Sequence, residues 1–296
     1  MSDFTFCGDW NLSPVQPVKP IRVMFLTSVR DTGTRDKNGI VVATENGEQY
    51  MEGAIERTVN ATRPGGALHR IIEVVGVITD DIERDMHGSD YPLEPKFGKP
   101  WIYPLDLVLP NGSSLMVHTH HCRSDFRQQS LDAITARRER KFDFERRISI
   151  LMKFLGADIL ISDHYMARIE YLITDAFGLF GRVLNINPAV TVEGHPYCFR
   201  GKTPTADAIE RAKSGASTMT GATLHFIDTE IDHGPAIAYT APTPVYATDE
   251  RQWLRLRNYQ AAKLPLIVAG LRHYAMYIYP YIGVLNVNAL TARIAA

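Results

Sequence analysis

The sequence predicts an α/β fold built on a largely parallel, twisted sheet with polar insertions, and two observations predict it. Short apolar runs of buried-strand length, at Ile21–Thr27, 71–79, 159–162 and around Val183 and Leu184, alternate with longer segments of helical periodicity. Alternation of this kind is the mark of parallel strands joined by right-handed crossovers. The second observation is size and composition: 296 residues, 45% hydrophobic and 22% charged, suffice to bury one large core. The expected organisation is a single domain over 1–296, with its core at 18–243 and a helical extension at 244–296.

Taken in order, the first strand at Ile21–Thr27 leads into a charged loop, Ser28 to Thr34, that has no glycine cluster and no phosphate-loop pattern. Residues 31–66 are long and polar, with one helix expected at 49–60, where Tyr50, Met51, Ala54, Ile55 and Val59 recur at helical spacing. The second strand is 71–79. Residues 80–100, rich in Asp, Pro and Gly, read as an inserted segment, either ordered or a lid. A long helix is expected at 130–154, its charged face over 137–147 turned to solvent. The run 159–162 is a buried strand entering a turn. Residues 223–227 form another strand, followed by the polar turn 228–235, and 254–274 suggests terminal helices interrupted at Pro265.

Chemistry concentrates at 183–235. Pro188 keeps the residue before it extended, so Asn185 and Asn187 point to one side of their strand. Two carboxamides facing one space can stabilise a developing oxyanion, or can cap a strand end. Asp232, in the turn after the next strand, can serve as a base or order a proton-carrying water if the two turns meet at the carboxyl edge of the sheet; the alternative is a solvated loop. The run 115–125 contains His118, His120, His121 and Cys122, residue types that suit zinc. Strand alternation scatters them, so no metal is expected; His120 and His121 are read as substrate-pocket residues, or as ordinary strand-end histidines. In the loop after the first strand, Arg30 and Asp31 suit a small zwitterion, or form an exposed polar loop.

Lys+Arg 32 against Asp+Glu 33 gives a net charge of -1, which argues against a nucleic-acid partner. Three scattered cysteines suit reduced thiols, and no apolar run approaches the ~20 residues that span a bilayer. The expected location is the cytoplasm, without membrane contact.

The 183–235 stretch also resembles the 10-formyltetrahydrofolate-dependent formyltransferases, the family of glycinamide ribonucleotide and methionyl-tRNA formyltransferases. The matching residues are Asn185, Ile186 and Pro188, then Arg200, Gly201 and Pro204, then Thr220, Gly221, Thr223, Asp228, Asp232, Gly234 and Pro235, in order and at the family's spacing. The resemblance implies a Rossmann-like formyltransferase fold, 10-formyltetrahydrofolate as formyl donor and a small-molecule amine as acceptor. It further implies that Asn185 polarises the formyl carbonyl and Asp232 assists proton movement. Contacts to the reduced folate are implied for Tyr165, Met166, Arg168 and Ile169, the alternative for Met166 and Ile169 being plain core packing, and for Asp228 and Ile231. Asn187 stands where the family's histidine is expected. That departure implies an altered mechanism, a catalytically silent relative or a substitution. The length after Pro244 leaves no room for the β-barrel that methionyl-tRNA formyltransferases append. Within the family the chain looks most like hydroxyornithine formyltransferases of hydroxamate siderophore biosynthesis, with nucleotide-sugar amine formyltransferases second.

Overall fold

The structure, a computed structural model, describes residues 4–8, 13–28, 34–36, 39–44, 47–80, 103–104, 106–165, 167–201 and 203–282. Strands β1 (Thr5–Phe6) and β2 (Ile21–Thr27) belong to the main sheet, and β3 (Thr34–Asp36), β4 (Gly39–Thr44) and β5 (Gly47–Met51) form a small antiparallel one. The main sheet continues with β6 (Ile72–Thr79), β7 (Thr119–His121), β8 (Ile159–Ser162), β9 (Val183–Asn187), β10 (Thr218–Phe226) and β11 (Ala236–Val245). Its order is β1-β11-β10-β9-β8-β2-β6-β7. Neighbours are parallel from β9 through β8, β2 and β6 to β7, and antiparallel from β9 through β10 and β11 to β1. The α/β expectation therefore holds, with an antiparallel flank on one side.

Alternate residues of β2 enter different cores. Val23 and Phe25 pack with helices α1 (Ala54–Thr62) and α5 (Leu264–His273), while Met24 and Leu26 pack with α2 (Ile134–Leu155). A strand buried on both faces must be apolar throughout, which is why Ile21–Thr27 is so legible in the sequence.

Three expectations are corrected. Gln49, Tyr50 and Met51 are strand rather than helix: β5 pairs with β4, Met51 opposite Ile40, and the helix begins only at Ala54, after Gly53. The partner strand overrides a helical spacing that is genuine from Ala54 onward. The charged face of α2 is not wholly solvated, since Lys141 is 7% and Glu145 0% exposed. Finally, the carboxyl-terminal helices are not interrupted at Pro265. The chain runs from α4 (Arg251–Asn258) through a π turn, Tyr259–Lys263, into α5, and Pro265 occupies the first turn of α5. A proline there removes a donor that a widened turn leaves unused. Beyond Asp80, the segment expected as an insertion lies outside the described residues, and so do residues 283–296.

A helix α3 (Pro204–Lys213) follows the Arg200–Gly201 motif. Two glycines of the motif region answer to close packing. A Cβ at Gly234 would fall on the carbonyl oxygen of Phe226, and one at Gly221 on that of Thr240. Gly234→Ala is therefore expected to destabilise the protein by about 3 kcal/mol, read from the shift of a urea unfolding midpoint; an unchanged midpoint would mean that the 228–235 turn can move away from β10.

Candidate active site

Strand β9 ends among parallel strands on one side and antiparallel β10 on the other, and this register builds the site. Asn185 lies opposite His225, and Asn187 opposite Thr223. Since side chains alternate along a strand, these residues share one face. Asn185 Nδ2 lies 3.0 Å from His225 Nε2 and 3.4 Å from Asp232 Oδ1. The other ring nitrogen of His225, Nδ1, lies 2.8 Å from the Phe226 carbonyl oxygen. A carbonyl only accepts, so Nδ1 carries the proton, and Nε2 is left with a lone pair that accepts from Asn185.

Asp232 completes the group. Its Oδ2 accepts from the Gly201 amide at 3.1 Å, and Oδ1 lies 3.8 Å from His225 Nε2. Its backbone is left-handed, φ 59°, a conformation uncommon outside glycine but one that aspartate tolerates in turns. Arg200 supports the motif from the other side, donating through Nε to the Thr191 carbonyl at 2.8 Å. Thr223 accepts from the Thr191 amide and donates to the Ala189 carbonyl, which ties down the chain just past Asn187. His225 is 2% exposed, and burial pushes its imidazole below the ordinary histidine range, with Asp232 acting in the opposite direction. The ring is a neutral base near neutral pH.

Asn187 is 6% exposed and makes no such contact: its side-chain oxygen has no hydrogen-bond partner among the described residues. A buried carbonyl oxygen without a donor is costly, and a ligand bearing N–H or O–H at the end of β9 would satisfy it.

The segment following β8 is shaped by Glu145. Its buried carboxylate accepts from the backbone amides of Glu170, Tyr171 and Leu172 at 2.7–3.1 Å, and Lys141 bridges to Glu170 at 2.8 Å. Within this segment Tyr165 stacks on Phe144 with ring centroids 6.1 Å apart, Ile169 is 2% exposed and packs in the same core, and Arg168 is exposed. In the turn that follows β10, Asp228 accepts from the Glu230 amide at 2.9 Å, and Ile231 is 50% exposed.

The structure does not bring every expected residue together. Met166, Arg30 and Asp31 lie outside the described residues. His120 and His121 are on β7, at the far edge of the sheet, four strand spacings or roughly 19 Å from β9. His121 bonds Thr79 there, and no cluster of metal-ligating side chains occurs among the described residues. Sequence reasoning missed His225 and Glu145. The strand 223–227 already contained His225, but only pairing with β9 shows that it faces Asn185. For Glu145 the signal was its i, i+4 spacing from Lys141.

Comparison with known proteins finds no matching family model and no matching curated protein. The likeness lies in three dimensions. PvdF of pyoverdin biosynthesis, an N10-formyltetrahydrofolate-dependent formyltransferase, superposes with a TM-score of 0.71 at 26% identity, over 86% of this chain and 99% of PvdF. The chain has the formyltransferase fold. Glycinamide ribonucleotide transformylase 1 from Symbiobacterium toebii shares that fold at 19% identity and a TM-score of 0.52, over 88% of this chain and 89% of its own. Phosphoribosylglycinamide formyltransferase from Bacillus Halodurans does so at 20% identity and 0.50, over 85% and 93%. The resemblance read from the motifs is thus borne out, and the Asn185–His225–Asp232 group sits at the strand ends of a formyltransferase sheet. No helix among the described residues is long and apolar enough to cross a membrane.

Proposed function

We propose that the protein transfers the formyl group of 10-formyltetrahydrofolate to an amine, and that the acceptor is the hydroxylated side-chain nitrogen of an amino acid, N5-hydroxyornithine. The observation that carries the reading is the Asn185–His225–Asp232 group on a formyltransferase fold. The likeness to PvdF along nearly its whole length supports it.

The donor supplies an activated formyl carbon, and the chain supplies positioning and proton handling. The acceptor nitrogen attacks that carbon, and negative charge gathers on the formyl oxygen while the nitrogen must lose a proton. His225 Nε2 is the group able to take it, with Asp232 nearby to stabilise the imidazolium that results. Protonated Nε2 can no longer accept from Asn185, so the amide N–H is released toward the developing oxyanion. Proton uptake and oxyanion stabilisation are in this way linked through one side chain. Collapse of the adduct then breaks the bond between the formyl carbon and the donor nitrogen, and tetrahydrofolate leaves with that nitrogen carrying the proton the acceptor gave up.

This arrangement removes the main reason for reading Asn187 as the mark of a silent folate binder, because an imidazole is present on the neighbouring strand. Asn187 contributes an acceptor instead. A hydroxylamine arrives uncharged near neutral pH, being much less basic than an alkylamine, and its O–H or N–H can donate to Asn187 Oδ1. In competition between ornithine, N5-hydroxyornithine and an amino-sugar nucleotide, the hydroxylamine is expected to have the highest kcat/KM, by at least ~10-fold. A clear win for the sugar nucleotide would replace the acceptor assignment while leaving formyl transfer in place.

A further inference from the structure

We infer that Arg255 forms a carboxylate-binding subsite that holds the amino-acid end of the acceptor while its nitrogen reaches Asn187. The inference rests on the amino-acid acceptor proposed above. Arg255 is a half-buried guanidinium on α4. Its Nη2 donates to His164 Nδ1 at 3.1 Å and to the Tyr259 hydroxyl at 3.3 Å, and it lies 5.5 Å from the centroid of the Tyr259 ring. Among the described residues no carboxylate pairs with it. Its neighbours are compensated: Lys263 pairs with Asp163 at 2.5 Å, and Arg257 with Asp249 at 2.7 Å.

The surroundings are rich in donors. Because His164 Nδ1 accepts from Arg255, the ring proton sits on Nε2, which donates to the Tyr259 hydroxyl at 2.9 Å. Lys263 Nζ also donates to that hydroxyl, at 3.3 Å. Among the described residues the carboxylate of the cluster is Asp163, which pairs with Lys263 and lies 3.6 Å from His164 Nε2. Donors in excess around an uncompensated, half-desolvated cation make a site for an anion, and the planar guanidinium suits a carboxylate.

Position ties this subsite to the reacting centre. Ser162 is in register with Asn185, and His164, two residues further on, turns across the strand ends at φ 60°. On α4, Asn258 donates to the carbonyl oxygen of Pro188, the residue after Asn187, at 2.9 Å. Arg255 precedes Asn258 by one helical turn, on the same face. Arg255 therefore lies one helical turn, ~5 Å along the helix axis, from the residue that ties α4 to the end of β9, within the reach of an extended amino acid of ornithine length.

Calorimetric titration of N5-hydroxyornithine and of its decarboxylated analogue, N-hydroxyputrescine, into the wild type, Arg255→Gln and Arg255→Lys tests the subsite. The wild type is expected to prefer the amino acid by roughly 10- to 100-fold in Kd. Arg255→Gln should erase the preference without weakening the decarboxylated ligand, and Arg255→Lys should keep part of it. A wild type without preference, or a glutamine variant that weakens both ligands equally, overturns the subsite. Should the glutamine variant not fold, an undiminished preference in Arg255→Lys does the same. Formyl release followed in the same samples separates the two readings: transfer without carboxylate preference sinks the subsite alone, and preference without transfer sinks the transferase alone.

Discussion

Substituting His225 by glutamine is expected to lower kcat/KM for formyl transfer by ~10²- to 10⁴-fold, the usual contribution of a general base. Glutamine keeps a hydrogen-bonding group opposite Asn185 but cannot take the proton, so folate binding should survive. The pH profile gives the sharper result. Burial disfavours the charged imidazolium, so the lone pair on Nε2 persists as pH falls through the ordinary histidine range, and activity is lost only below the lowered value. The wild type should therefore show an acid limb displaced below the ordinary histidine range, and the variant should lack it. Stability follows the same sign. The unfolded chain binds a proton that the buried ring resists, so this residue's contribution, present above the ordinary histidine value, declines as pH falls below it. A variant within a few-fold of wild type, with its acid limb intact, would assign the proton to another group.

Replacing Glu145 by alanine should cost ~3–5 kcal/mol, as removal of one partner from a buried charged network does. The backbone amides of Glu170, Tyr171 and Leu172 would lose their acceptor, and Lys141 would keep only its bridge to Glu170. These amides shape the segment that follows β8, which carries Tyr165 and Ile169. The expected result is a lower urea midpoint together with weaker binding of a non-reactive folate analogue. A loss below ~1 kcal/mol would mean that water replaces the carboxylate.

Much of the framework was readable without coordinates. Strands buried on both faces are continuous apolar runs, so Ile21–Thr27 and 159–162 coincide with β2 and β8 to the residue. The shared side of Asn185 and Asn187 is likewise a local property, since alternation along a strand needs no partner. The glycines at 221 and 234 were matched to the motif, but only the fold shows that each lies against a carbonyl oxygen of a neighbouring segment. Gln49, Tyr50 and Met51 were not readable, because their helical spacing is real and only pairing with β4 makes them a strand.

What the sequence by itself determined is the α/β class, the strand-end asparagines and the Asp232 turn, all of which follow from periodicity and local turn chemistry. Tertiary structure alone decided that His225 faces Asn185, that Glu145 is a buried anchor rather than a solvated charge, that His120 and His121 belong to the opposite edge, and that Arg255 meets His164. Each of these depends on strand order, on register or on the packing of distant segments. His225 and Asn185 are 40 positions apart, His164 and Arg255 are 91, and no spacing rule operates over such separations. Antiparallel register turns on the summed burial of whole strands, so it places an imidazole beside an amide only once the core has closed.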